Sequence, residues 1–477
     1  SSLVAQHNLA KSSADLQVRL QRLSTGLRIN RGADGPADLI VSERLRSEIE
    51  GIDQAIGNAE RATNVIATAE AALAEVANML TSIKGLVVEA ANSGALSREE
   101  IEANQLQVDS AVASITRIAN TTSFAGLDLL NGSLDYITSG VAASAISDVD
   151  IYQANFGTSS SVPVSVQVLT SAEKAGLYLS TGTAALTSSV AVEIAGNKGV
   201  EVLQFVSNTN LSAVAVAINR ISDSTGVVAS MAGTDWNSGL IFRSEEFGTD
   251  SFVSVQKVPG SGGDFFTTYS AKGDPSTTSQ RDTGEDVLAL VNGSLALGQG
   301  STVKLNNGAL NLEMQLTDDF AQTTTTKTFD ITGGGAMFQV GPEVNSGQQI
   351  SFGISSVAAN RLGNATVGFL NSVVSGGSNS LVAGNAREAG AVIEKAITQV
   401  AVMRGRLGAF ERNTLQTNVR SLQIALENVT SSESQIRDAD FAEETSKLTR
   451  AQVLNNVGTN VLAIANSSAQ NVLSLLQ

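Results

Sequence analysis

The sequence predicts an α+β chain: long coiled-coil-like helical arms from both termini (all-α) flanking a β-rich central insertion. Three observations predict it. The prolines stand at 36, 163, 259, 275 and 342, so residues 37–162 and 343–477 contain none. An interior proline costs a helix about 3 kcal/mol, and its absence permits long helices. Apolar residues recur in both arms at alternating steps of three and four, the repeat of a coiled coil. Between the arms, from about Ser123 to Val367, short β-type runs alternate with Gly, Ser, Thr and Asn.

The elements follow in order. Leu9, Leu16, Leu20, Leu23 and Leu27 stripe a first helix. A second, from Ser42 to Asn92, carries Leu45, Ile49, Ile52, Ile56, Ala59, Thr63 and Ile66; after a one-residue slip, Ala69, Leu73, Val76, Leu80, Ile83 and Val87 follow. At ~1.5 Å per residue it is roughly 75 Å long and needs helical partners along its length. Asp34, Asp38 and Glu43 near its start suit the positive end of a helix dipole. A break at Ser93-Gly94 precedes a third helix marked by Ile101, Val108, Val112, Ile115 and Ala119.

In the insertion, "VPVSVQVL" (162–169), "VAVEIAG" (190–196), "DSFVSVQKV" (250–258) and "QQISFGI" (348–354) read as strands. "LSAVAVAINRIS" (211–222) reads as one short helix, and "TTTT" (323–326) and "GGG" (333–335) as loop. Helical stripes then return: Ile393, Ala396, Val400, Met403, Leu407 and Phe410, a slip, and Leu415, Val419, Leu422, Leu426 and Val429. Leu454, Val457, Val461, Ile464, Val472 and Leu475 close the chain. The arms are distant in sequence, yet each needs a partner, so they pair with one another.

Composition excludes several classes. The 477 residues carry a net charge of −16, which gives no electrostatic footprint for nucleic acid or an anionic membrane. There is no cysteine, and the one histidine is His7. Disulfide frameworks and zinc sites built on Cys or several His are thereby excluded, and His7 reads as an exposed residue of a terminal helix. No uninterrupted run of 18 apolar residues occurs, so no membrane insertion is expected. No P-loop or H-E-x-x-H is present, and "SAEK" (171–174) reads as a surface turn. The sequence calls for no catalytic residue, no cofactor and no metal. The first 30 residues hold no basic segment followed by an apolar one, so no cleaved secretory signal is expected.

The ends carry a resemblance. "LQRLSTGLRINRGADGPADLIVSERLRSEI" (20–49) resembles the amino-terminal region of bacterial flagellins, and "SQIRDADFAEETSKLTRAQVLNNVGTNVLAIANSSAQNVLSLLQ" (434–477) resembles their carboxy-terminal signature. "NTTSFAGLDLLNG" (120–132) and "FQVGPEVNSGQQISFGI" (338–354) are similar to the segments leading into and out of the flagellin insertion. Residues 192–229 and 239–255 resemble a module shared with hook-associated proteins.

The resemblance implies an inner terminal coiled-coil domain (1–33 and 436–477). It implies a helical rod with a small β-hairpin (34–155 and 336–435) and a β-rich outer domain projecting outward (156–335), its module at about 185–258. It implies a secreted, extracellular subunit of the flagellar filament, a helical homopolymer supporting swimming motility. Export by a dedicated apparatus, a chaperone on the carboxy-terminal helix, and cap and hook–filament junction proteins as partners follow from it. The expected terminal seam sets Leu16, Leu20, Leu23 and Leu27 against Val457, Val461, Ile464 and Leu475. In some flagellins a Toll-like receptor reads the helix matching residues 80–92, here Leu80, Ser82, Lys84, Gly85, Leu86 and Glu89. The strongly recognised pattern has Arg where Ser82 stands and Glu where Gly85 stands, so recognition is expected to be weak. The alternatives are a junction protein, sharing the terminal pattern, and a secreted enzyme on a flagellin frame; the zinc-peptidase form of the latter fails for want of histidine in the insertion.

Overall fold

The computed structural model describes residues 2–157, 159–180, 182–233, 239–263, 266–271 and 275–474. The chain runs through α1 (Ser2–Thr25), α2 (Pro36–Ala91) and α3 (Arg98–Thr121) into a β-rich region holding α4 (Leu211–Asn219), α5 (Ser222–Thr225) and α6 (Asp318–Ala321). It leaves through α7 (Ala386–Phe410), α8 (Gln416–Arg437) and α9 (Phe441–Ser474). Two compact units divide it: residues 1–64, 338–349 and 408–477, and residues 65–337 and 350–407.

Helix α2 spans 56 residues, roughly 84 Å at 1.5 Å per residue. It opens on Pro36, whose missing N–H costs nothing in a first turn. Its buried row is Ile52, Ala55, Ala59, Ala62, Ile66, Ala69, Leu73, Val76, Leu80, Ile83, Val87 and Ala90. Those positions alternate by three and four throughout, so the expected slip does not exist. The seam runs through Ala55 and Ala62, with Ile56 and Thr63 half-buried beside it. An 18-residue window of α2 is apolar enough, at mean hydropathy 1.4, to cross a membrane by length and composition. Its fully buried large side chains, Ile66, Leu73, Val76, Leu80 and Ile83, lie on this one row, as in the core helix of a bundle, while Ile40, Val41 and Val88 are exposed.

Asp34 departs from its expected role. It lies before the helix and accepts the backbone N–H groups of Arg31 (2.8 Å) and Asn30 (3.0 Å). Those bonds hold its carboxyl below the usual range and close the loop entering α2. Helix α3 begins with a capping box, Ser97 and Glu100 each bonding the other's amide. Gln105, 1% exposed on α3, is satisfied by donating to the Val373 carbonyl (2.9 Å) and accepting from the Leu381 amide (2.7 Å). The second expected slip is real: Glu411–Leu415 is a π-turn between α7 and α8, and its extra residue carries the apolar stripe from Phe410 to Leu415 in a step of five.

The β-rich region holds two cores. After a hairpin of β1 (Ser123–Phe124) and β2 (Leu127–Asp128) come β3 (Tyr136–Ser139), β4 (Ile146–Ala154) and β5 (Val162–Thr170). Next follow β6 (Gly176–Leu179), β7 (Val190–Gly196), β8 (Val200–Phe205), β9 (Val227–Met231), β10 (Leu240–Ser244), β11 (Phe252–Lys257), β12 (Thr268–Tyr269) and β13 (Arg281–Thr283). Then come β14 (Leu288–Val291), β15 (Ser294–Gln299), β16 (Thr302–Asn306), β17 (Leu310–Leu316) and β18 (Thr326–Gly334), and after them the short strands β19 (Ala336–Gln339), β20 (Gln349–Phe352), β21 (Gly363–Asn364) and β22 (Gly368–Phe369). One antiparallel sheet has the order β3-β18-β5-β14-β15-β16-β17-β4 and buries Val164, Val166, Leu312 and Met314. The other core lies among β12-β6-β10-β9, β13-β11-β7-β8 and α4, around Leu177, Ile194, Ile218 and Phe242.

The expected boundary between residues 155 and 156 therefore falls inside a sheet. β4 pairs along its length with β17, and β3 with β18. "GGG" is not loop either: Gly333 and Gly334 finish β18 at a register shift. Gly334 has φ +90°, and a Cβ there would run into the Asp135 carbonyl.

Candidate assembly interface

Within the first unit, α1 and α9 lie antiparallel. Leucines spaced three and four apart give α1 one apolar stripe, and the side of α9 turned to it carries Glu444, Leu448, Ala451, Asn455, Gly458 and Leu462. The seam is pinned at several levels. Gly26, with φ +72°, caps α1, and its carbonyl accepts the Ala439 amide (2.9 Å). The Arg28 amide donates to the Arg437 carbonyl (2.7 Å). Higher up, the Ser12 hydroxyl reaches the Ala451 carbonyl (3.4 Å). Near the far end, Gly458 lets α9 approach Leu9, whose Cδ1 would stand 3.2 Å from an added Cβ.

A charged clasp sits in this seam. Glu444, 4% exposed, takes both oxygens to the Arg19 guanidinium (2.9 and 3.0 Å) and a further bond from Arg22 (3.2 Å). Burial works against its charge, but the Arg19 and Arg22 bonds outweigh it and hold the carboxyl below its ordinary range. A lowered folded pKa stabilises the pair above the unfolded value, and that stability is lost as pH falls through the folded one. Bonds to charged groups are worth about 1.5–3 kcal/mol. Glu444→Gln is therefore expected to speed amide exchange in α1 about thirtyfold at neutral pH, about 2 kcal/mol. It is also expected to remove the sensitivity of that exchange protection to acid below the carboxylate range. Unchanged protection in the variant would refute the clasp.

The register corrects the expected seam. Leu16, Leu20, Leu23 and Leu27 lie level with residues 438–451, while Val457, Val461 and Ile464 lie towards and beyond Leu9, at the other end of α1. The two groups do not face each other within one chain, because the antiparallel register sets Gly26 beside Ala439 and Leu9 beside Gly458. Leu475 is outside the described residues. Leu16, Leu23 and Leu27 are half-buried. Leu20, Val457, Val461 and Ile464 are exposed by 49, 50, 48 and 67%.

The second expected set divides as well. Leu80 is fully buried in the α2 seam and presents nothing at the surface. Ser82, Gly85 and Glu89 are exposed, Leu86 is half-buried, and Lys84 bridges to Glu394 (3.1 Å) on α7. In "SAEK", Lys174 is engaged by Asp318 (3.7 Å) and lies over the Phe247 ring. Sequence reasoning missed the Glu444 clasp, although Arg19, Arg22 and Glu444 stand out as charges within apolar stripes.

Comparison with known proteins identifies relatives of the chain. The model of the bacterial flagellin N-terminal helical region matches residues 1–135, that of the C-terminal helical region residues 391–476, and that of the flagellin hook IN motif residues 191–246. B-type flagellin of Pseudomonas aeruginosa is 32% identical over 491 residues, covering 100% of this chain and 98% of its own. Flagellin of Salmonella rubislaw is 29% identical over 521 residues, covering 100% and 98%. The solved FliC of Burkholderia pseudomallei aligns at 15% identity over 75% of this chain and 99% of its own, with a TM-score of 0.25. The chain belongs to the bacterial flagellins, the structural subunits of the extracellular flagellar filament.

Proposed function

We propose that this flagellin polymerises through the paired helices α1 and α9, whose outward apolar rows are covered by neighbouring copies of the chain. The observation that carries the reading is the exposure of Leu20, Val457, Val461 and Ile464 on a pair whose facing sides are already in contact. Rows of that kind mark contact surfaces. Leu16, Leu23, Leu27 and Leu475 complete the proposed interface. The outer β-rich unit is left free of the main filament contacts. No catalytic role is proposed, nor a cofactor, nucleic-acid partner or membrane insertion. Export without a cleaved signal, a chaperone bound to α9 before assembly, and cap and junction proteins at the filament ends complete the proposal.

Adding a kosmotropic salt to the concentrated protein tests this by negative-stain electron microscopy. Long uniform filaments are expected; growth that stops at short oligomers contradicts it.

Recognition by a Toll-like receptor is proposed to be weak. The exposed row of α2 offers Ser82 and Gly85 where the strongly recognised pattern has Arg and Glu, and the remaining cation, Lys84, is paired with Glu394. An interface Arg is commonly worth ≥ 2 kcal/mol, roughly thirtyfold in affinity. Reporter cells are expected to respond at least tenfold less than to a strongly recognised flagellin, and Ser82→Arg with Gly85→Glu to recover part of the difference. Equal potency of the unaltered chain contradicts this.

A further inference from the structure

The outer sheet meets α7 across a face that is not apolar. Strand β4 turns Val149 and Ile151 to the sheet core and Asp148, Asp150 and Tyr152 to the other side. On the neighbouring strand β17, Glu313 stands directly opposite Asp150, and Gln315 opposite Asp148. Like charges directly opposite one another in an antiparallel pair are destabilising.

A cavity of about 360 Å³ separates this face from α7. Asp148, Asp150, Tyr152 and Glu313 line one side, and Lys395 and Arg406 the other. Arg406 ties the two sides together: its guanidinium lies 3.2 Å from the Tyr152 ring centre, and it reaches Glu313 at 3.6 Å. Glu313 is shared with Lys304 of β16 (3.4 Å). Asp135, before β3, and Arg361 close the edge of the cavity. Glu313 thus has two cations, while no hydrogen-bond donor among the described residues serves the Asp150 carboxyl.

We propose that this face is a proton-operated clamp: when Asp150 takes up a proton the outer sheet seats on α7, and when it gives the proton up the seat loosens. Without the proton, Asp150 meets Glu313 across the strands and Asp148 along its own strand, and Lys395 is the α7 cation left to oppose them. With it, one of three crowded charges is gone and Arg406 holds Glu313 and Tyr152 without competition. Burial first, and then Asp148, Asp135 and Glu313, push the Asp150 carboxyl up to about 7, while Lys395 works the other way. The clamp therefore operates near neutral external pH. A folded pKa above the unfolded one gives stability that is full below about pH 4 and is lost as pH rises through 7.

The test is a carboxyl-carbon NMR titration of Asp150 in the full-length chain, paired with thermal unfolding of that chain and of Asp150→Asn between pH 4 and 8. The Asp150 signal is expected to titrate near pH 7. The ratio of folding constants, unaltered over variant, is expected to fall up to tenfold per pH unit between about pH 4 and 7. Glu313→Gln removes the opposed charge and is expected to move the midpoint down. A midpoint below pH 5, or the same pH slope in the unaltered chain and Asp150→Asn, overturns the clamp. The carboxyl titration reads the unaltered protein directly, so a variant that fails to fold does not shelter the proposal.

Discussion

A chain lacking residues 455–477 is expected to unfold within a few degrees of the intact protein and to form no filaments. The bonds that hold α9 to α1 stay in the truncated chain: Ser12 to Ala451, Arg19 and Arg22 to Glu444, and Gly26 to Ala439. The buried row of α2 and the two β cores also lie outside the deleted segment. What leaves is Val457, Val461 and Ile464, all at least 48% exposed in the single chain. Fully burying such a side chain is worth roughly 1.5–3 kcal/mol, so covering the exposed parts of these three is worth about 2.5–5 kcal/mol per subunit. At 1.4 kcal/mol per decade, that raises the concentration needed to polymerise by about two to four orders of magnitude. Thermal scans and sedimentation after salt addition check both halves, and normal filaments from the truncated chain would contradict the account.

Excising the β-rich insertion is expected to succeed or fail according to where the cut is made. Removing 156–335 strands β4 without β17 and β3 without β18, leaving β4, nine residues long, without its ladder partner and held by single bonds such as Gly353 N–H to the Tyr152 carbonyl (2.9 Å). Unpaired strand edges template association with other chains, so this version should aggregate. Removing 136–334, with a short Gly/Ser bridge, takes the whole eight-stranded sheet and leaves the helical arms intact. It should remain monomeric at low salt and polymerise when salt is added. Light scattering separates the two versions. Soluble, assembling protein from the shorter cut would show that the sheet boundary is immaterial; aggregation of the longer one would show that the arms depend on the insertion.

The arms were legible because a coiled coil writes its period locally. Proline-free tracts and three-four steps marked both helical arms but not the helix ends: α2 opens at Pro36 rather than Ser42, and α9 at Phe441 rather than near Leu454. The errors come from where the signal is weak or distant. In α2 the eye follows Ile56 and Thr63, whereas the tight seam needs the small Ala55 and Ala62, whose low hydropathy hides the row. The interruption between Phe410 and Leu415 could be seen, but only the backbone shows it as a π-turn. The insertion boundary depended on β4 meeting β17, strands about 160 residues apart in the chain, and nothing near either strand names its partner. The same holds for the Glu444 clasp. Its charges are plain in the text, but their meeting depends on an antiparallel register that stripe periodicity leaves open.

The natural absence of cysteine permits a direct test of the central claim, that copies of the chain cover the outward row of α9 on assembly. In Val461→Cys the new thiol is unique, at a position 48% exposed in the single chain. Its reaction with a small maleimide should be fast in the monomer and at least a hundredfold slower in filaments grown from the same preparation. Equal labelling rates in monomer and filament would contradict assembly through this face.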